Sequence, residues 1–175
     1  GTASAIRYRG SAAQTTGIEL TPLFSGDGGL IIDNAAGVNL GSSVTLASGL
    51  NLVAGNFNVG GNTLTLNGPA ITRASGFLST TAASSLVFGG SSPGIYIPAS
   101  VLTLNSLTIN NANGVSLNGN LNLAAGGVLS LSAGILYAEN HTISVTNTSA
   151  SAVTGSESSF INVTSGGLQR TLPAG

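Results

Sequence analysis

The sequence predicts an all-β chain wound as a parallel β-helix, a β-solenoid of roughly eight to nine rungs with little or no helix. Three observations predict it. The chain repeats itself: Leu30 to Leu40 reads LIIDNAAGVNL, Leu107 to Leu117 reads LTINNANGVSL, and seven of the eleven positions are identical at an offset of 77. The hydrophobic period is two almost everywhere, as in half-buried strands. The apolar triplets of the first unit start at 38, 44, 50, 57 and 64, a new strand every six or seven residues. Self-similarity on this scale signals a stacked, quasi-one-dimensional architecture.

The elements follow in order. Ile6-Arg7-Tyr8-Arg9-Gly10 followed by SAAQTTG resembles Leu86-Val87-Phe88-Gly89-Gly90 followed by SSPG. Residues 1–16 therefore read as the tail of a preceding unit, 17–93 as a first repeat and 94–175 as a second, all in one solenoid domain. Gly17-Ile18-Glu19-Leu20 meets Gly94-Ile95-Tyr96-Ile97 at the same offset of 77. In the first repeat, Val38-Asn39-Leu40, Val44-Thr45-Leu46, Leu50-Asn51-Leu52, Phe57-Asn58-Val59 and Leu64-Thr65-Leu66 each set two apolar residues around one polar one. A strand turns that pair to one face and the Asn or Thr to the other. The links GSS, ASG, VAG and GGN are short turn formers.

The second repeat carries Val115-Ser116-Leu117, Leu121-Asn122-Leu123, Leu129-Ser130-Leu131, Leu136-Tyr137-Ala138 and Ile143-Ser144-Val145 in the same way. Here AGILYAENHTISV from Ala133 meets AGNFNVGGNTLTL from Ala54 at an offset of 79, so two residues have been inserted. No segment has a helical stripe, and 26 glycines oppose one.

Strands this short are a poor fit to an antiparallel β-sandwich or meander, the alternative fold, whose strands run about 5–6 residues plus hairpin loops. A coil with three sides and a rung of about twenty residues fits them better. Four such rungs would make up one repeat. Gly and Asn belong at the corners because both tolerate left-handed backbone angles.

Composition narrows the function. Charged residues make up 5% of the 175, there is no Lys, and the cations are Arg7, Arg9, Arg73 and Arg170. With a net charge of −1 the chain lacks the basic patch that nucleic acid or anionic lipid requires. No apolar run approaches the roughly 20 residues of a membrane helix, so no membrane insertion is expected. The polar residues are Ser, Thr, Asn and Gly, an exterior suited to extracellular work.

Enzymatic chemistry finds little to use. Glycan hydrolysis needs two carboxylates, or a carboxylate and a base, held within reach of one bond. Glu139 and His141 are the one acid–base pair at strand-like spacing, and His141 aligns with Asn62 of the first copy. Glu19 aligns with Tyr96, and Asp33 with an asparagine, so the repeat requires neither acid. The expectation is a protein that is not an enzyme and takes no cofactor.

For metal, Gly26-Asp27-Gly28-Gly29-Leu30-Ile31-Ile32-Asp33 has the flavour of a calcium-binding Gly-Asp repeat, with Asp27 and Asp33 as the oxygens, but it occurs once where such motifs work in tandem. Tyr96 and Tyr137 each lie between inward residues and should face solvent, as a weak glycan platform or subunit contact; Tyr8 either joins them or packs under a turn. An outward threonine row (Thr63, Thr65, Thr142) is interrupted by Asn and Ser, which argues against ice binding.

YRGSAAQTTG from Tyr8, LTINNANGVSL from Leu107 and GGLQRTLPAG from Gly166 together resemble the β-strand-repeat surface proteins of Bacteroidetes-type bacteria. The resemblance covers nearly the whole chain. It implies a large, secreted, surface-anchored and often adhesin-like protein, without catalytic residues. The function expected is a structural one: a stalk or extracellular fibre subunit at the bacterial cell surface. Its partners would be itself, head to tail, or flanking repeats of a longer chain. The alternative is an adhesin module binding surface glycans, and a polysaccharide-degrading enzyme comes third.

Overall fold

The two-residue period becomes alternating burial. In Thr63–Leu66 and Ser85–Phe88 each half-buried residue is followed by a buried one. The computed structural model describes residues 4–20, 23–69 and 71–173, and these wind into a parallel β-solenoid of about seven turns. Every strand pair is parallel, which excludes the antiparallel sandwich or meander. The regular helix among the described residues is one 3-10 turn, Ala150–Ala152, capped by Ser149. No described helix is long and apolar enough to cross a membrane.

Turns number about seven rather than eight to nine because some are longer than the strand spacing suggests. Leu30 pairs with Leu50 and Leu50 with Ile71, but higher in the coil the chain travels further between partners, from Leu136 to Ile161.

Each turn has three sides. The first side stacks Ala5–Arg9, Gly29–Asp33, Leu50–Ala54 and Ile71–Arg73, the second Gln14–Thr15, Val38–Asn39, Asn56–Asn58 and Phe77–Ser79. The third begins with Leu23–Phe24, Val44–Leu46, Thr63–Leu66 and Ser85–Phe88. Above Phe77–Ser79 the first two ladders stop. A new sheet, Ile95–Ile97, Val115–Leu117, Leu136–Glu139 and Ile161–Val163, takes over the first side. The third ladder runs on through this joint: Ser85–Phe88 pairs with 106–109, and these pair with 128–131. Thr103–Asn110 and Leu121–Ala133 are bent strands that cover two sides each, with their leading residues pairing separately from their trailing ones.

The internal copies are not four whole rungs apart. Between Leu30 and Leu107 lie three turns of three sides, namely Leu30-Val38-Val44, Leu50-Phe57-Leu64 and Ile71-Leu78-Leu86, and then two more sides at Ile95 and Leu104. Leu107 therefore stands eleven sides, or three and two-thirds turns, beyond Leu30. Leu30, Leu50 and Ile71 mark successive turns, and an offset of 77 is not a whole number of such steps. The second copy is consequently turned by one side, and its LTINN strand sits above Val87 and Phe88, not above Leu30. The eleven-side relation also superposes Tyr8 on Phe88, and both point inward. It does not superpose GIEL on GIYI: Gly17–Leu20 is a turn with Ile18 fully exposed, whereas Ile95–Ile97 is a strand with Ile95 buried.

Apolar columns fill the coil. Val44, Leu64, Leu86, Leu107, Leu129 and Val153 stack in register on the third side, as do Leu46, Leu66, Phe88, Ile109 and Leu131. All but Val153 are buried, each leucine worth about 1.5–3 kcal/mol relative to exposure.

Corners are tied by asparagine. Asn34 and Asn111, equivalent in the two copies, are fully buried. Asn34 Nδ2 donates to the Ala12 carbonyl and to Gln14 Oε1 at 2.8 Å, one turn below, while its Oδ1 accepts from Ala36 N–H. Asn111 donates to the Ser92 carbonyl at 2.9 Å and accepts from Asn113 N–H. Each asparagine thus satisfies its own turn and the turn beneath, as a buried amide must.

Candidate functional site

Outward side chains form columns because parallel strands stack in register. On the first side above the joint, Tyr96, Ser116, Tyr137 and Asn162 make one such column. Tyr96 and Tyr137 are both half-exposed there, flanked by buried neighbours. They are two turns apart, about 10 Å at the strand-to-strand spacing. Tyr96 Oη donates to the Ile71 carbonyl at 2.9 Å, bridging the gap where the lower sheet ends. Tyr137 leans over Gly114, where an added Cβ would fall 2.6 Å from its ring.

Tyr8 does not face solvent. It is buried in the first turn, as the Phe88 equivalence requires, and its hydroxyl donates to Glu19. Glu19 also accepts from Gly17 N–H at 2.7 Å. The Tyr8 bond, then the Gly17 N–H, holds the Glu19 carboxyl below its ordinary range, while burial and then Glu19 itself push the Tyr8 hydroxyl well above its own.

The sign of each shift sets a pH window. A lowered carboxyl favours the folded first turn above the ordinary Glu range, and that contribution disappears as pH falls through the folded value. A raised phenol contributes fully below about pH 10, and the contribution is lost at higher pH, where only the unfolded tyrosine ionises. Protection of the Ala5–Arg9 amides relative to their intrinsic exchange rates is therefore expected to fall at both extremes, and Tyr8→Phe should flatten the alkaline limb of that protection. An unchanged alkaline limb in Tyr8→Phe would contradict the assignment.

The candidate calcium oxygens are spread between different duties. Asp33 Oδ2 receives Arg7 at 2.6 Å and lies 3.6 Å from Arg9, its neighbour across the ladder. Asp27 is exposed at the corner before Gly29. Among the described residues no group of three or more His, Cys, Asp or Glu gathers as a metal site. Glu139 and His141 open onto separate grooves, Glu139 with Tyr137, Asn162 and Thr164, and His141 with Tyr96 and Asn118. Glu139 has a corner role: at φ 53° its carbonyl accepts the N–H groups of Thr164, Ser165 and Gly166 at 2.9–3.0 Å.

The third side carries an uncharged column of Thr45, Thr65, Val87, Thr108, Ser130 and Thr154. The copies supply it from non-equivalent strands, because of the one-side turn between them.

Two of the grooves have shapes and linings that bear on function. One is an apolar groove of about 510 Å³ at the end of the coil, lined among others by Leu131, Val153, Phe160, Ile161, Val163 and Leu168. The other, about 480 Å³, lies at the joint and is lined by Ile71, Arg73, Tyr96, Pro98, Ala99, Asn118 and His141. Arg73 holds its guanidinium 4.4 Å above the Phe77 ring and makes no ion pair among the described residues. Sequence reasoning singles out Tyr96 and His141 but not Arg73 or Asn118. The available signal was position: Arg73 alone among the four cations lies in the middle of the chain. Comparison with known proteins found no matching family model, no matching curated protein and no matching solved structure.

Proposed function

We propose that this chain is a structural element that works by stacking, a β-solenoid stalk or extracellular fibre segment of the bacterial surface, in keeping with the repeat proteins its motifs resemble. The end of the coil formed by Val153–Thr154, Ile161–Val163 and Gly167–Arg170 is the observation that carries this reading. Phe160, Val163, Leu168 and Leu172 are exposed there around the apolar groove. Strand edges and apolar surface left open at the end of a column favour addition of a further turn.

The corresponding segments of the first copy are Ile71–Arg73, Phe77–Ser79 and Ser85–Phe88, and there the following turn pairs with Ser85–Phe88 and buries its apolar side chains. A covering turn from a second copy, or from flanking repeats of a longer chain, would bury this surface in the same manner. The weakly charged exterior of hydroxyls and amides limits association elsewhere, so contact concentrates at the ends.

Sedimentation velocity and electron microscopy test the self-stacking form. The protein is expected to assemble end to end with rising concentration, and a Val163→Lys/Leu168→Lys variant to remain monomeric with an unchanged circular dichroism spectrum. A wild-type protein that stays monomeric at its highest soluble concentration contradicts self-stacking and leaves flanking repeats as the partner.

A further inference from the structure

We propose that the groove at the joint binds an acidic glycan chain of the uronate class, laid along the solenoid axis. This site lies on the flank of the column and does not depend on stacking at the ends.

The groove owes its shape to the break in the ladders. Ile71–Arg73 is the last strand of the lower sheet and Ile95–Ile97 the first of the upper one, and no backbone ladder joins them. What crosses the gap is the hydrogen bond from Tyr96 Oη to the Ile71 carbonyl, which fixes the tyrosine ring beside the opening. Arg73, Tyr96 with Pro98, Asn118 and His141 belong to four successive turns. Three rises of about 4.8 Å separate the first from the last, the length of a short oligosaccharide. One turn advances by nearly the same distance as one pyranose in an extended chain, so each turn can address one sugar.

The chemistry of the lining selects the sugar. Its ionisable members are Arg73, Tyr96 and His141, and among the described residues no carboxylate lines it. Arg73 is held in place by the Phe77 ring beneath it and has no acidic partner to displace among the described residues, so its planar fork of donors is free for a carboxylate. Tyr96 supplies an aromatic surface for a sugar ring. Asn118 offers an amide donor and acceptor and His141 ring nitrogens, which suit hydroxyls on the following sugars. Groups preorganised in this way lose little freedom on binding.

Calorimetric titration of oligogalacturonate and oligoalginate of three to six sugars, against cello-oligosaccharides of equal length and inorganic polyphosphate, tests the proposal. Saturable binding of a uronate probe in preference to the neutral sugars and the polyphosphate is expected. Arg73→Met should weaken it about tenfold or more, and Tyr96→Ala and His141→Ala should weaken it too. Arg7→Met, on the first turn, should leave it unchanged. Both Arg73 and His141 can be replaced without opening the core, and circular dichroism checks that each variant is folded. Binding of neither uronate, equal binding of the neutral sugars or the polyphosphate, or uronate binding that survives Arg73→Met would each overturn the proposal.

Discussion

Replacing Leu107 by Asp is expected to abolish cooperative folding. Leu107 is fully buried in the column Leu86, Leu107 and Leu129, on the one side whose ladder passes through the joint. The substitution removes about 1.5–3 kcal/mol of apolar burial and adds a buried carboxyl, which costs several kcal/mol more whether it stays charged or takes up a proton. The total is comparable with the about 5–15 kcal/mol that holds a domain together. In a quasi-one-dimensional stack the damage also separates the turns below from those above, because each turn contacts only its neighbours. Urea unfolding monitored by circular dichroism should show no single sigmoidal transition in Leu107→Asp. Thr108→Asp, one residue on and facing outward, should keep a single transition and change stability by under about 1 kcal/mol. A wild-type midpoint for Leu107→Asp would refute the buried column.

Gly134→Ala is expected to destabilise the chain by about 2–5 kcal/mol, combining a left-handed backbone penalty of about 1–2 with overpacking of about 1–3. Gly134 adopts φ +77°, and a Cβ there would lie 1.8 Å from the carbonyl oxygen of Asn111, one turn below. Its equivalent in the first copy, Gly55, has φ +73° and a Cβ position 1.9 Å from the Asn34 carbonyl. The two corners are thus built alike: a buried asparagine on one turn, a glycine pressed on its carbonyl from the next. Neither backbone can move away without breaking the ladder. Gly126→Ala is the control, since nothing lies within 4 Å of its Cβ position and its φ is ordinary. Thermal or urea denaturation should separate the two variants clearly, and equal midpoints would contradict the corner geometry.

Much of this fold was legible in the chain, for a physical reason. In-register parallel stacking makes inward and outward positions alternate strictly, so Leu64-Thr65-Leu66 and Ile143-Ser144-Val145 declare their faces without any long-range information. The corner asparagines and glycines are equally plain, because the turn needs them in both copies. Tyr8 was readable as an inward residue from its alignment with Phe88, although its hydroxyl suggested a surface role. The phase of the repeat was not readable. An offset of 77 says how far the chain travels but not how many sides it passes. The match of GIEL with GIYI misled for the same reason, as local identity is blind to whether a segment spans a side or rounds a corner. The joint groove lay out of reach because Ile71, Tyr96, Asn118 and His141 meet only through stacking, and a ladder that stops leaves no mark in the hydrophobic period.

That phase is the point on which the account can be tested most directly. The chain has no cysteine, so engineered pairs report position without interference. Val87 and Thr108 are outward ladder partners on the third side, adjacent at a spacing a disulfide can bridge. Thr72 is on the first side. Thr65 is the outward partner of Val87 one turn below on the third side. If the second copy is turned by one side, Val87→Cys/Thr108→Cys and Thr65→Cys/Val87→Cys should both crosslink readily under mild oxidation, and Thr72→Cys/Val87→Cys should not. Crosslinking of the Thr72–Val87 pair in place of the Thr65–Val87 pair would mean that the copies stack in whole turns, and would contradict the account.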